Sequence, residues 1–198
     1  MTPRRVGMFG GAFDPPHVAH RALVQAALQQ LQLERLHLVP TGRAWHKPHA
    51  LSDARHRLAM AELAFGDLAG VIVDPRETLR QGPSYTVDTL RELQQTYPGA
   101  QLYLLIGADQ ARVLQTWHDW HGVLQCAIVC VAGRDGATAP PFEPPTGLGA
   151  RFTTLSLPDM PVSATDIRAR AAAGQSVLPL VGDAVARYID SHRLYRTS

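Results

Sequence analysis

The sequence has few cysteines and no long apolar run. Its two cysteines, Cys126 and Cys130, flank the apolar residues 127–129, and we expect two free thiols on one strand rather than a disulfide framework or a zinc cluster. The apolar stretch after the N-terminal arginines stops at Gly10, which is too short for a signal peptide. No apolar run approaches the roughly 20 residues that cross a bilayer. These absences predict a cytoplasmic protein that has no membrane partner.

An excess of charge of one sign is also missing. The 19 basic and 17 acidic residues give a net charge of +2 at pH 7, which is too small to bind nucleic acid by bulk electrostatics. Lys47 is the single lysine, so guanidinium groups carry nearly all the positive charge. We expect no nucleic-acid partner, although basic side chains near a site can still bind a phosphorylated small molecule. Monomer and homo-oligomer both remain open.

Apolar runs of strand length alternate with helical patterns along the chain. The predicted strands are 6–9, 36–39, 71–73, 102–106, 127–131 and 152–155. The predicted helices are 20–33, 53–65 with Ser52 as its N-cap, 85–97, 165–173 and 182–191. Apolar strands that alternate with helices are typical of an α/β fold with a parallel sheet and helices on both faces. The wholly apolar run 102–106 is expected near the centre of that sheet.

Such sheets bind ligands beyond the carboxyl ends of their strands, and the first strand runs into the segment GGAFDPPHVAH, residues 10–20. Small residues allow the backbone to approach a ligand, and free N–H groups at a helix start bind phosphate oxygens. His17 and His20 are three residues apart, so both imidazoles can face one side of the helix start. By itself this short motif is more typical of a tight turn with capping histidines. A zinc pair is disfavoured because no third ligand follows at a comparable spacing.

A second motif, VSATDIR, occupies residues 162–168. Ser163 and Asp166 have capping-box spacing, so a helix should begin here. Two hydroxyls and Arg168 at a helix start would form a second phosphate clamp. Alone, the motif indicates only a capped helix, but two such motifs on an α/β chain indicate nucleotide chemistry.

Both motifs resemble those of the HxGH nucleotidyltransferases, whose usual forms are G-[GS]-[TS]-F-D-P-x-H-x-G-H and I-S-x-T-x-x-R. Within that group the chain resembles the bacterial nicotinate-nucleotide adenylyltransferase family. The further matching segments are His46-Lys47-Pro48, Pro83-Ser84-Tyr85-Thr86, Ile106-Gly107-Ala108-Asp109, Thr116-Trp117 and Leu194-Tyr195-Arg196. The chain departs from the family at Ala12, where Thr or Ser is usual, at Ala19, which replaces the glycine of HxGH, and at His118, where an aromatic residue is common.

The resemblance implies one nucleotidyltransferase domain over residues 1–198 with a Rossmann-like fold, in which a C-terminal helical subregion, 162–198, carries the second motif. The implied reaction transfers AMP from ATP to nicotinate mononucleotide and releases pyrophosphate, in NAD biosynthesis. Mg2+ would accompany ATP, and no protein side chain is expected to bind a metal.

The implied site residues fall into three groups. The catalytic residues are His17, His20 and Arg168. The ATP-binding residues are Gly10, Gly11, Ala12, Phe13, Lys47, Ser163 and Thr165. The residues for nicotinate mononucleotide are Ser84, Tyr85, Thr86, Gly107, Asp109, Trp117 and Arg134. In this interpretation Trp117 stacks on the pyridine ring, Asp109 accepts from ribose hydroxyls, and the N–H groups at 84–86 receive the nicotinate carboxylate.

Three other functions remain open. A phosphopantetheine-type adenylyltransferase is disfavoured by the segment 83–86 and by Trp117. A nucleotide-binding regulator without activity would have little need of two histidines and Arg168 around one phosphate. A metal-dependent hydrolase would need a third ligand.

Overall fold

A parallel sheet forms the centre of the computed structural model, which describes residues 3–42, 51–134 and 142–196. Six strands lie in the order β3-β2-β1-β4-β5-β6, and every neighbouring pair is parallel. The strands are β1 (Arg5–Gly11), β2 (Arg35–Pro40), β3 (Val71–Val73), β4 (Gln101–Gly107), β5 (Ala127–Arg134) and β6 (Phe152–Leu157). The predicted strands are therefore all present, and β4 is central as expected. The strand order reverses between β1 and β4, which is the switch point of a Rossmann-like sheet.

The helices connect these strands and follow the last one. They are α1 (Val18–Gln30), α2 (Ala54–Phe65), α3 (Arg76–Leu79), α4 (Thr86–Thr96), α5 (Ala108–Arg112), α6 (Trp120–Cys126), α7 (Ala164–Ala172), α8 (Leu178–Val181) and α9 (Asp183–Ser191). The sequence patterns do not predict α3, α5, α6 and α8. Each has seven residues or fewer, so no apolar period could develop.

Two local predictions were wrong. Asp53, not Ser52, caps α2, because its carboxylate accepts the N–H of Arg55 at 2.9 Å. Cys126 is the last residue of α6, so only Cys130 lies on β5. Cys130 is buried and Cys126 half-buried, and both are free thiols as expected.

Side chains alternate between the two faces of the sheet. On β4, Leu102 and Leu104 pack against a core cluster that includes apolar residues of α4 and α6. Tyr103 and Leu105 belong to the opposite cluster, which includes residues of α1 and α2. Helices therefore cover both faces, as predicted for a parallel sheet buried on each side.

The last three helices form a third cluster with α2. Ile167 of α7, Val181 of α8 and Ile189 of α9 are buried together with Met60 of α2. This packing produces the predicted C-terminal helical region and brings the chain end back toward the loop after β1. That residues 1–198 form one domain remains a prediction.

Candidate active site

The loop after β1 leaves the sheet at the switch point. Gly10 and Gly11 pair with Val39 and Pro40 of β2, and a Cβ on Gly11 would lie 3.1 Å from the ring of Phe13. Only glycine leaves the Phe13 ring undisturbed here. Phe13 is 1% exposed, and its ring packs edge-on against Phe9 and Phe65, so only its backbone could line a nucleotide site.

The two histidines of the first motif stand at the start of α1. Their rings are stacked, with centroids 3.7 Å apart, so the prediction that both imidazoles face one side is confirmed. The backbone N–H of His17, the N-cap residue, donates to Nδ1 of His20 at 3.3 Å. Because Nδ1 accepts, the proton of a neutral His20 lies on Nε2. His20 can therefore donate a hydrogen bond through Nε2.

The second motif begins α7 as predicted. The hydroxyl of Ser163, the N-cap, accepts the N–H of Asp166 at 3.1 Å and donates to its carboxylate at 2.7 Å. Arg168 lies one turn further on. One of its terminal nitrogens donates to the hydroxyl of Thr165 at 3.2 Å, so Thr165 orients the guanidinium.

The two motifs meet through Arg168. Its other terminal nitrogen donates to the backbone carbonyl of Asp14 at 2.8 Å, and Asp14 lies between the glycines and His17. A guanidinium has five N–H groups, so these contacts leave donors for phosphate oxygens. The loop after β1 and the start of α7 therefore form one basic site, in which the N–H groups of helix starts add a favourable field for anions.

A second group of predicted residues lies at the start of α4 and at the end of β4. Tyr85 is the N-cap of α4, and its ring stacks on His118 with the ring centroids 4.1 Å apart. The hydroxyl of Ser84 approaches the carbonyl of Glu77 at 3.5 Å, and Thr86 is the first residue of the helix. His118 stands where the family commonly has an aromatic residue, and its imidazole likewise places a flat ring against Tyr85.

Gly107 is the last residue of β4, and the exposed Asp109 follows it in the first turn of α5. A Cβ on Gly107 would lie 2.5 Å from a carboxylate oxygen of Asp109, so glycine leaves room for that carboxylate. Trp117 is half-buried against the cluster on the α4 side of the sheet. Because β4 lies beside β1, Gly107 and Gly11 end at the same edge of the sheet.

Lys47 lies outside the described residues, and the side chain of Arg134, the last residue of β5, is also outside them. Within the described ranges, no three His, Cys, Asp or Glu side chains are grouped as metal ligands. No helix in the same ranges is long and apolar enough to cross a membrane.

Two residues that contact the loop after β1, Arg57 and Tyr195, were not predicted from the sequence to lie there. Arg57 of α2 is 2% exposed and donates to the carbonyl of Ala12 at 3.0 Å. It occupies the same helix face as the buried Met60 and Ala61, three and four residues on, a spacing that could have marked it as an inward-facing arginine. The hydroxyl of Tyr195 donates to Asp14 at 2.7 Å, a contact across 181 positions of sequence that no local pattern could reveal.

Several known proteins are similar to this chain in sequence or in fold. The cytidylyltransferase-like family model matches residues 8–170. A protein of Albidiferax ferrireducens named "Probable nicotinate-nucleotide adenylyltransferase" is 57% identical over 98% of this chain and 100% of its own length. A protein of Methylibium petroleiphilum with the same name is 44% identical over 97% of this chain and 92% of its own. This chain belongs to the nicotinate-nucleotide adenylyltransferase family.

A solved structure confirms the fold. Plasmodium falciparum nicotinic acid mononucleotide adenylyltransferase complexed with APC superimposes with a TM-score of 0.77, 14% identity and 97% coverage of each chain. At that identity the likeness concerns the fold alone. The Rossmann-like α/β fold that the sequence predicts is therefore confirmed for this chain.

Proposed function

We propose that this chain transfers the AMP part of ATP to nicotinate mononucleotide, giving nicotinate adenine dinucleotide and pyrophosphate, in the biosynthesis of NAD. The hydrogen bond from Arg168 to the carbonyl of Asp14, 2.8 Å long, carries this proposal. It joins the second motif to the loop that leads to His17 and His20, so three donors can face one triphosphate. The names of the relatives support the identity of the acceptor.

The reaction needs no protein nucleophile. An oxygen of the mononucleotide phosphate attacks the α-phosphorus of ATP, a new P–O bond forms, and the bond from that phosphorus to the α,β-bridging oxygen breaks as pyrophosphate leaves. The protein holds two polyanions in line and stabilises the charge that gathers on the phosphate oxygens. His20, through its Nε2 proton, His17 and Arg168 are the proposed donors, and Ser163 shapes the start of α7.

The glycines of the two strand ends would allow the nucleotides to approach the backbone. ATP would contact the backbone at Gly10 and Gly11, and the mononucleotide would contact the backbone at Gly107. Lys47 is proposed to contact the leaving pyrophosphate and Arg134 the mononucleotide phosphate, both as cations that pair with anions.

The remaining groups would bind the pyridine and ribose parts. Trp117 offers a flat face for the electron-poor pyridine ring, and the exposed carboxylate of Asp109 offers an acceptor for ribose hydroxyls. The N–H groups at the start of α4, behind Tyr85, offer donors for the nicotinate carboxylate. A nicotinamide has no full negative charge, so this contact favours the acid over the amide.

Mg2+ fits this site as part of the ATP complex rather than as an ion held by the protein. In this proposal phosphate oxygens and water supply the ligands of the ion, since Mg2+ is commonly bound through substrate phosphates and keeps several waters. When bound, the ion neutralises phosphate charge. A chelator should therefore stop turnover and leave the thermal unfolding midpoint of the ligand-free protein unchanged.

A pyrophosphate-release assay tests the proposal. Purified protein, ATP and Mg2+ are combined in turn with nicotinate mononucleotide, nicotinamide mononucleotide and phosphopantetheine, and the dinucleotide product is identified by mass. We expect rapid release with nicotinate mononucleotide and at least about tenfold slower release with the nicotinamide analogue, the effect of one charged hydrogen bond.

The other outcomes separate the alternatives. Release with phosphopantetheine alone would identify a different acceptor. Equal rates with the acid and the amide would disprove the role of the carboxylate. ATP binding without turnover of any acceptor would indicate a regulator.

A further inference from the structure

Asp14, which precedes a proline and is expected from the sequence only to shape the turn, is a buried junction in the loop after β1. It is 3% exposed, and its two carboxylate oxygens have different partners. One accepts the backbone N–H of Ser52 at 2.9 Å and the other the hydroxyl of Tyr195 at 2.7 Å. Since its carbonyl also accepts from Arg168, three separate segments of the chain contact this one residue.

Arg57 also contacts this loop, through hydrogen bonds from its guanidinium to backbone carbonyls. Its Nε donates to the carbonyl of Ser52 at 2.9 Å, and its terminal nitrogens reach the carbonyls of Ala12 at 3.0 Å and Gly42 at 3.5 Å. Burial lowers the pKa of this guanidinium, while the nearby Asp14 carboxylate opposes that shift. A planar fork of five donors can serve three carbonyls in fixed directions, which a lysine cannot do.

Tyr195 completes the junction from the C-terminal end of the chain. Burial raises the pKa of its phenol far above the usual value, and the adjoining Asp14 carboxylate adds to the rise. The hydroxyl therefore stays protonated and donates. Its backbone has the left-handed φ of 65°, a conformation that a tyrosine rarely adopts unless surrounding contacts hold it.

From these contacts we infer that Asp14, Arg57 and Tyr195 are positioning residues for adenylyl transfer. They fix the conformation of residues 12–17, which in turn sets where His17 and the guanidinium of Arg168 meet the phosphates. None of the three needs to touch a substrate. Displacing catalytic groups by about 1 Å can reduce turnover as much as 100-fold, so a hydroxyl at the chain end can control the rate. This inference rests on the proposed function only for its kinetic readout.

The variant Tyr195→Phe tests it, because it removes one hydroxyl and keeps the ring in its cluster. We expect kcat to fall about tenfold, as for the loss of one charged hydrogen bond, and KM for ATP to change less than about twofold. The matched control is Tyr188→Phe. Tyr188 packs in the same cluster and its hydroxyl pairs with His56 at 2.9 Å, so this variant should lose stability without losing kcat.

A double-mutant cycle tests whether Tyr195 affects kcat through Asp14. If Tyr195 acts through Asp14, Asp14→Asn combined with Tyr195→Phe should lower kcat less than the product of the two single effects. Strictly multiplicative effects would show that Tyr195 acts elsewhere. A wild-type kcat in folded Tyr195→Phe, or an equal loss in Tyr188→Phe, would overturn the inference.

Hydrogen exchange provides a readout that is independent of any substrate. In the ligand-free protein, amides of residues 12–20 should exchange at least about fivefold faster in Tyr195→Phe than in Tyr188→Phe, because local opening becomes easier. Equal exchange in the two variants would overturn the inference even if the wild type proved inactive with nicotinate mononucleotide. Failure of the proposed function would instead appear as an inactive wild type.

Discussion

The guanidinium of Arg168 lies 2.8 Å from the carbonyl oxygen of Asp14, a residue 154 positions earlier in the chain. This hydrogen bond joins the two motifs that the sequence presents separately. It places the start of α7 beside the loop after β1, as the proposed phosphate site requires. The position of Arg168 is therefore the first feature to test.

Replacing Arg168 should reduce turnover more than substrate binding. We expect Arg168→Ala to lower kcat about 100-fold and Arg168→Lys about tenfold, because a lysine keeps the charge but lacks the planar fork that directs separate N–H groups at Asp14 and at a phosphate. Steady-state pyrophosphate release measures both. Arg170→Ala, an exposed position on the same helix, is the control and should keep wild-type kcat. An equal loss in that variant would contradict the specific role of Arg168.

His20 should act mainly in the transition state. Because its Nδ1 accepts from the backbone of His17, a neutral His20 carries its proton on Nε2, and we propose that this N–H donates to a phosphate oxygen that gains charge during transfer. We expect His20→Ala to lower kcat about 100-fold and to change the Kd for ATP less than about threefold. The control is His121→Ala, an exposed imidazole on α6. Weaker ATP binding with an unchanged kcat would make His20 a binding residue only.

Trp117 should affect the mononucleotide and not ATP. Stacking of a ring on an aromatic side chain contributes about 1–3 kcal/mol, so Trp117→Ala should raise KM for nicotinate mononucleotide about tenfold or more. KM for ATP should stay within about twofold. The control is Trp120→Phe, since Trp120 lines a cavity together with Phe142 and Phe152, and Trp117 is not among the residues that line it. If both Michaelis constants are unchanged in Trp117→Ala, the stacking proposal is wrong.

Asp74 should stabilise the fold in a pH-dependent way. Burial opposes its ionisation, but hydrogen bonds from His37 at 2.7 Å and from Arg76 outweigh burial and lower its pKa well below the usual range. A carboxyl whose pKa is lower in the folded state stabilises above its unfolded pKa of about 3.9, and this stabilisation is lost as the pH falls below that value. Asp74→Asn should lower the free energy of unfolding by about 3 kcal/mol at pH 7.

Urea unfolding from pH 3 to pH 8 measures this difference. The difference in the free energy of unfolding between wild type and Asp74→Asn should decrease steadily below about pH 4. A gap that is constant with pH would show that packing, rather than ionisation, accounts for the loss.

Glu77 should behave in the opposite way. Burial raises its pKa, although the hydroxyl of Thr89 donates to it at 2.8 Å. A carboxyl whose pKa is higher in the folded state stabilises below its unfolded pKa of about 4.3 and loses that contribution as the pH rises. Glu77→Gln keeps an acceptor for Thr89, so its free energy of unfolding at pH 8 should equal or exceed that of the wild type. A clear loss of stability at pH 8 would contradict the direction of the shift.

Much of the fold could be predicted because it follows from local patterns. The apolar runs gave all six strands to within three residues at each end, since a strand buried on both faces must be apolar throughout. Helices α3, α5, α6 and α8 could not be predicted, because they are too short for a periodic pattern and depend on packing for their stability. The cap of α2 was assigned one residue early because Ser52 and Asp53 are both good N-caps.

The sequence by itself determined which kinds of residue the candidate site contains. These are paired imidazoles and an arginine, each near a helix start, together with glycines at the strand ends. Such features depend on neighbours in the chain, which is why the motifs reveal them. Only the tertiary structure decided that Arg168 contacts Asp14 and that Arg57 and Tyr195 hold the same loop. Those contacts join residues 45 to 181 positions apart, and only the packing of the C-terminal helices on α2 brings Arg168 and Tyr195 to the switch point.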